Sequence, residues 1–99
     1  MRNHFTSYRI AVEFHHACRE VKLPDYLQDQ LLRASSSIAL CLAEGAGRST
    51  KKDQVRFFFQ ALGSLRECQA CLDLAPKQYP NLIETADSLG AHLFRLCHH

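Results

Sequence analysis

Apolar residues recur at helical spacing through most of the chain, and prolines and glycines divide it into four segments. The clearest pattern lies in the second segment, where steps of three or four residues separate Leu27, Leu31, Ala34, Ile38 and Leu42. This spacing places these side chains on one face of a helix. No stretch alternates with period two over a useful length, so no strand is predicted.

The boundaries of the segments predict four helices, at about residues 4–21, 24–44, 51–75 and 81–99. Pro24 breaks the first segment and opens the second, because proline suits the first turn of a helix. Four helices with short connections predict an all-α fold, an antiparallel up-down-up-down four-helix bundle. The whole chain, residues 1–99, is predicted to form this single domain.

Turn signals and apolar spacing predict local details of the second and third helices. Gly45 stands where a left-handed cap residue is wanted after the second helix. Thr50 followed by Asp53 matches the capping pattern at the start of the third. Gly63, inside the third helix, indicates either close packing or a tolerated glycine. The predicted core face of the third helix comprises Val55, Phe58, Phe59, Leu62, Leu65 and Leu72.

The composition is that of an ordinary globular protein, with 46% hydrophobic and 22% charged residues among 99. The net charge of +2 is too small for whole-surface attraction to nucleic acid, so such binding needs a local patch. No apolar run approaches the roughly 18 residues that span a membrane, and the first residues lack the apolar stretch of a signal peptide. The predicted location is therefore the cytoplasm, with no membrane partner.

Two apolar stretches exceed what one bundle core needs. Residues 38–43 are apolar nearly all round the second helix, and Phe57, Phe58 and Phe59 are consecutive in the third. At about 100° per residue, three such rings cover more than half of a helix circumference. Either the second helix is central in the bundle and exposes only a narrow strip to solvent, or a second face of this helix docks on another subunit. We expect an oligomer, with Phe57 pointing outward and an interface that contains Phe57 and Leu40.

Several motifs, each weak alone, together resemble the four helix bundle protein family that is encoded in 23S rRNA intervening sequences and elsewhere in bacterial genomes. The densest resemblance runs from Gln30 to Glu67. The matching positions are Gln30, Arg33, Ala34, Ser37, Ile38, Ala43, Glu44, Gly45, Arg48, Gly63, Ser64 and Glu67. Cys41 departs from the family pattern, which usually has Asn there.

The resemblance implies a closed homo-oligomer, with a pentamer favoured, and no enzymatic activity. It also implies kinship with the accessory variability determinant of diversity-generating retroelements, which binds nucleic acid and partners a reverse transcriptase. Family position further suggests that Arg33, Glu44 and Glu67 are buried or interfacial charges, with Arg33 pairing with Glu67. A catalytic carboxylate pair is the weaker alternative, because no nucleophile, metal set or phosphate-binding loop accompanies it.

A basic cluster is the best functional candidate. Arg48, Lys51, Lys52 and Arg56 surround the start of the third helix, opposed only by Asp53. Backbone N–H groups at a helix start also favour anions, so RNA or DNA phosphates would suit this end. The alternatives are a solvated helix start with ordinary surface charges, and an adaptor that binds a reverse transcriptase through the surplus apolar surface.

Cys68 and Cys71 form a Cys-x-x-Cys motif that invites a zinc or redox interpretation. One such pair supplies two of the four ligands of a structural zinc site, and redox pairs generally lie at a helix start rather than deep inside a helix. We therefore favour buried apolar thiols, and predict no metal and no cofactor.

Overall fold

The chain folds into four helices in a computed structural model that describes the backbone of residues 2–98 and the side chains of residues 5–98. The helices are α1 (Arg2–Glu20), α2 (Asp25–Ala46), α3 (Lys51–Leu74) and α4 (Pro80–Cys97). Residues 2–98 contain no strand, so the predicted all-α class is confirmed. The bundle measures 42 × 21 × 18 Å, which fits the length of its longest helix.

Contacts between helices give the order of the bundle. Helix α2 packs on α1 and α3, and α4 packs on α3 and α1. Between α2 and α3, Gln30 contacts Glu67 near one end and Ser37 contacts Ser64 further along. Because the residue number rises on α2 as it falls on α3, these two helices are antiparallel. Short links at residues 21–24, 47–50 and 75–79 join the four neighbours.

The core runs along the bundle axis and draws on all four helices. The predicted apolar face of α2 is confirmed, because Leu27, Leu31, Ala34, Ile38 and Leu42 are all buried. The largest apolar side chains that are fully buried are Phe14, Leu31, Ile38, Leu42, Leu65, Leu89 and Leu93.

The prediction for the core face of α3 is partly wrong. Phe58, Leu65 and Leu72 are buried as predicted, but 47% of the surface of Phe59 is exposed. One residue is about 100° of helix rotation, so Phe58 and Phe59 cannot both face the same narrow core. The core takes Phe58, and Phe59 is turned toward solvent.

Helix starts follow the sequence signals. The Thr50 hydroxyl accepts a hydrogen bond of 3.2 Å from the backbone N–H of Asp53, so the predicted cap of α3 is confirmed. Pro80 lies in the first turn of α4, where the absent N–H costs no helical hydrogen bond. None of the helices in the described part of the chain is long and apolar enough to cross a membrane.

Gly45 has a different role from the predicted one. It is still helical and buried, α2 ends one residue later, and no glycine of the described chain has a positive φ. The cap residue is Gly47, with φ of −85°. Gly45 instead packs against Phe57 and Phe58 of α3. The glycine is explained by its missing β-carbon and not by a left-handed conformation.

Candidate nucleic-acid interface

The link between α2 and α3 presents a cluster of exposed cations, which we call the basic cluster: Arg48, Lys51, Lys52 and Arg56. Two hydrogen bonds fix the link. The N–H of Arg48 donates to the carbonyl of Gly45 at 3.1 Å, and the Gln54 side-chain amide donates to the carbonyl of Arg48 at 3.1 Å. The cations therefore project from a backbone that is ordered on both sides.

Phe57 lies beneath two members of the basic cluster. The guanidinium carbons of Arg48 and Arg56 are 4.6 and 4.7 Å from the centroid of its ring. Both distances are within the range of cation–π attraction. The Phe57 ring thus holds two guanidinium groups close together, one from the link and one from α3.

The prediction that Phe57 points outward is wrong. Only 7% of its surface is exposed within the single chain, because it is covered by α2 and by the arginines above it. The outward ring of the triplet is Phe59. Leu40, the other predicted interface residue, is 63% exposed, and its place at an interface stays a prediction.

Little negative charge opposes the basic cluster. The one ion pair among the described side chains joins Arg56 to Asp53 at 3.9 Å, and both groups are about half exposed. Such an exposed pair contributes little and leaves the cation available. The first backbone N–H groups of α3 add a partial positive charge at the same place. This end can therefore attract anions.

The three predicted structural charges lie on the surface. Arg33, Glu44 and Glu67 are all exposed in the single chain, so they are not buried within it, and their place at an interface between subunits stays a prediction. The predicted pair of Arg33 with Glu67 is wrong, because no ion pair joins them among the described side chains. Glu67 instead accepts a hydrogen bond of 2.9 Å from the amide of Gln30.

Polar groups form a seam between α2 and α3 on the outer side of the bundle. Ser64 donates to Ser37 at 3.0 Å, and the Cys41 thiol lies 3.9 Å from the side-chain oxygen of Gln60. The thiol is a weak donor. Cys41 thus keeps a polar contact at the position where it departs from the family pattern.

The cysteines are all free and buried. Burial raises the pKa of Cys18 to about 12 and also raises the pKa values of Cys68 and Cys71. A raised pKa suppresses the thiolate, which is the form that reacts and binds metals. In the described part of the chain, no group of three or more His, Cys, Asp and Glu side chains could hold a metal ion.

A contact between α1 and α2 has no counterpart in the sequence reasoning. His15 Nδ1 is 2.7 Å from the hydroxyl of the fully buried Ser35. Burial, followed by the charges of His16 and Arg19, lowers the pKa of His15. The pair satisfies a hydroxyl in the core. The residues are 20 apart, so no local spacing could have revealed it.

Sequence reasoning also missed an aromatic group toward the same end of the bundle as the basic cluster. The ring of Phe94 stacks on His98 with centroids 4.0 Å apart, and His98 meets the edge of Phe59 at 5.5 Å. The spacing of four residues between Phe94 and His98 was a local signal that these rings share a helix face. Their approach to Phe59 depends on how α3 and α4 pack.

The fold and this site define a four-helix-bundle protein with a basic and aromatic end. The family model for the 23S rRNA-intervening sequence protein matches residues 6–95. The chain therefore belongs to the 23S rRNA-intervening sequence protein family, as the resemblance predicted. No curated protein and no solved structure matches it.

Proposed function

We propose that the chain is a non-enzymatic, homo-oligomeric protein that binds RNA or DNA through the basic cluster. The observation that carries the proposal is the exposure of four cations around one helix start. Only one of them, Arg56, forms an ion pair among the described side chains, and its pair with Asp53 is weak. Phosphate oxygens are the natural partners of such a group. A pentamer is the favoured assembly and the cytoplasm the proposed location.

The arrangement of Arg48 and Arg56 suits phosphate binding. Arginine forks hydrogen-bond phosphate oxygens in pairs, and Phe57 already holds both heads in place. Less side-chain freedom is then lost on binding than with two freely moving arginines. Repetition of the cluster around a ring of subunits would let one strand contact several clusters, which multiplies a weak affinity.

Salt dependence tests the proposal. We expect Lys51→Gln combined with Lys52→Gln to weaken binding to a structured RNA and to flatten the plot of log affinity against log salt. The slope should change by about 0.7 to 0.9 for each phosphate that the variant no longer neutralises. The measurement is fluorescence anisotropy over a series of salt concentrations, with light scattering to verify the assembly.

A matched control removes the same charge elsewhere. Lys22 and Lys77 lie in the two links at the opposite end of the bundle and are exposed. Lys22→Gln combined with Lys77→Gln should leave the slope close to that of the wild type. Equal slopes for both double variants, or no binding by an intact wild-type assembly at low salt, would refute the proposed use of the basic cluster.

A protein interface on the back of α2 is the second part of the proposal. Leu40 exposes 63% of its surface, and Ala43, one turn further on, is also exposed. We assign this surface to a second copy of the chain. An adaptor that binds a reverse transcriptase is the alternative, and affinity purification from the native host would separate the two through the proteins and nucleic acids recovered.

A further inference from the structure

Exposed aromatic rings gather toward the same end of the bundle as the basic cluster. Phe59 comes from the first half of α3, and Phe94 and His98 come from the end of α4 and the residue after it. His98 stacks on Phe94 and meets Phe59 edge to face, so the three rings form one contiguous group. We call them the aromatic cluster.

The aromatic cluster is not needed to fill the core. Phe94 is 52% exposed and Phe59 is 47% exposed, whereas Phe14, Phe57 and Phe58 are buried. Phe94 keeps about half of its surface in solvent even with His98 stacked on it. Ring surface therefore remains available to a ligand.

Cations border the aromatic cluster on both helices. Lys52 and Phe59 are seven residues apart and share one face of α3, whereas the head of Arg56 lies over Phe57. On α4, Arg95 follows Phe94 and is exposed. Phe94 shares a groove with Arg66, Arg95 and one acidic side chain, Asp87, so the net charge of this groove is positive. The charge favours an anionic occupant with flat, stackable groups.

We propose that the aromatic cluster stacks unpaired bases of a single-stranded nucleic acid while the neighbouring cations hold its phosphates. This inference rests on the proposed function and deepens it by naming the substrate class. Base faces are covered by their neighbours in a duplex but are exposed in a single strand, where each base that stacks on an aromatic side chain adds to the affinity. The bundle end therefore prefers single strands.

The test separates bases from phosphates. The probes are a short DNA strand, an abasic strand of the same length and charge, and the corresponding duplex. The wild type should bind the base-bearing strand about fivefold or more tightly than the abasic strand. Phe94→Leu keeps an apolar side chain but removes the ring. It should therefore erase most of the difference in affinity between the base-bearing and abasic strands. The affinity for the duplex and the slope of log affinity against log salt should stay unchanged.

Two control variants sharpen the comparison. Phe94→Tyr retains a ring for stacking and should retain the preference for bases. Tyr26→Leu removes a ring that is 73% exposed at the start of α2, at the other end of the bundle, and should change nothing.

The outcomes distinguish this inference from the proposed function. Loss of binding in the Lys51 and Lys52 double variant together with an unchanged base preference in Phe94→Leu overturns the inference alone. An absence of binding to every probe overturns both. A fall in assembly mass for Phe94→Leu, measured by light scattering, assigns the aromatic cluster to a protein interface and also overturns the inference.

Discussion

Gly45 lies so close to Phe58 that a β-carbon at position 45 would be 2.8 Å from Cε1 of the ring. The same β-carbon would be 3.1 Å from Cβ of Phe57. The end of α2 thus approaches the start of α3 at a distance that only glycine allows. This approach places the link between the helices, and with it Arg48, directly against the Phe57 ring.

Gly45→Ala should destabilise the protein although alanine is the better helix former. The added methyl group meets a buried ring and the backbone-proximal Cβ of Phe57, neither of which can move freely. Overpacking of this kind costs about 1–3 kcal/mol. Urea unfolding followed by circular dichroism would measure the loss, and an unchanged midpoint would show that α2 and α3 can separate at no cost.

Gly63→Ala is the matched control and should have the opposite sign. Gly63 lies inside α3, is exposed, and a β-carbon there would meet no other atom within 4 Å. The substitution should therefore raise the free energy of unfolding by about 0.5–1 kcal/mol. A drop in assembly mass, measured by light scattering, would instead indicate that Gly63 lies against another subunit.

The contrast between these glycines shows where sequence reasoning about the fold ends. Helix positions and the α2 core face follow from periodicity, which depends on neighbours three and four residues apart. The sequence neighbours of Gly45 predict a helix cap, whereas its role in the structure depends on Phe58, 13 residues later. A close approach between two helices leaves no pattern in the local sequence. A glycine at a predicted helix end can therefore be either a cap or a contact point with another helix, and only the packing of the helices distinguishes the two.

The candidate site divides in the same way. The basic cluster could be predicted, because its four cations are close in the sequence and lie at a recognisable helix start. The orientation of the three phenylalanines could not be predicted, because it depends on which of the rings the packing of the other helices can accommodate. The aromatic cluster could not be predicted either, because Phe59 on α3 and His98 after α4 are 39 residues apart in the sequence.

Phe57→Leu should lower both stability and the order of the basic cluster. Leucine fills most of the buried volume but gives no ring face to Arg48 and Arg56. We expect a loss of about 1–2 kcal/mol in the free energy of unfolding. Urea unfolding measures this, with Phe59→Leu as the control, because Phe59 is half exposed and its replacement should change stability by less than about 0.5 kcal/mol.

Leu40→Asp tests the back of α2 without disturbing the core. With 63% of Leu40 exposed, the substitution should change the stability of an isolated subunit by less than about 0.5 kcal/mol. If a second copy covers Leu40, a charge placed in that dry contact costs several kcal/mol and the assembly dissociates. Light scattering at several concentrations decides, and a variant that keeps the wild-type mass would remove Leu40 from the interface.

The buried thiol of Cys18 should make the protein less stable in alkali. Burial raises the pKa of Cys18 from 9.0 to about 12 in the folded chain, so the unfolded chain loses this proton first as the pH rises. The protonated thiol therefore stabilises the folded chain fully below about pH 9. Between about pH 9 and 12 this stabilisation is lost, at up to about 1.4 kcal/mol per pH unit.

Cys18→Ala removes that titration and should show a shallower alkaline decline than the wild type, even if its stability near neutral pH is about 1 kcal/mol lower. Ala11→Gly is the control, because Ala11 is a fully buried, non-titrating residue of the same helix. It should be less stable at every pH while keeping the wild-type slope. Urea unfolding at a series of pH values gives both quantities, and parallel curves for all three proteins would show that the thiolate of Cys18 is as accessible to water in the folded chain as in the unfolded one.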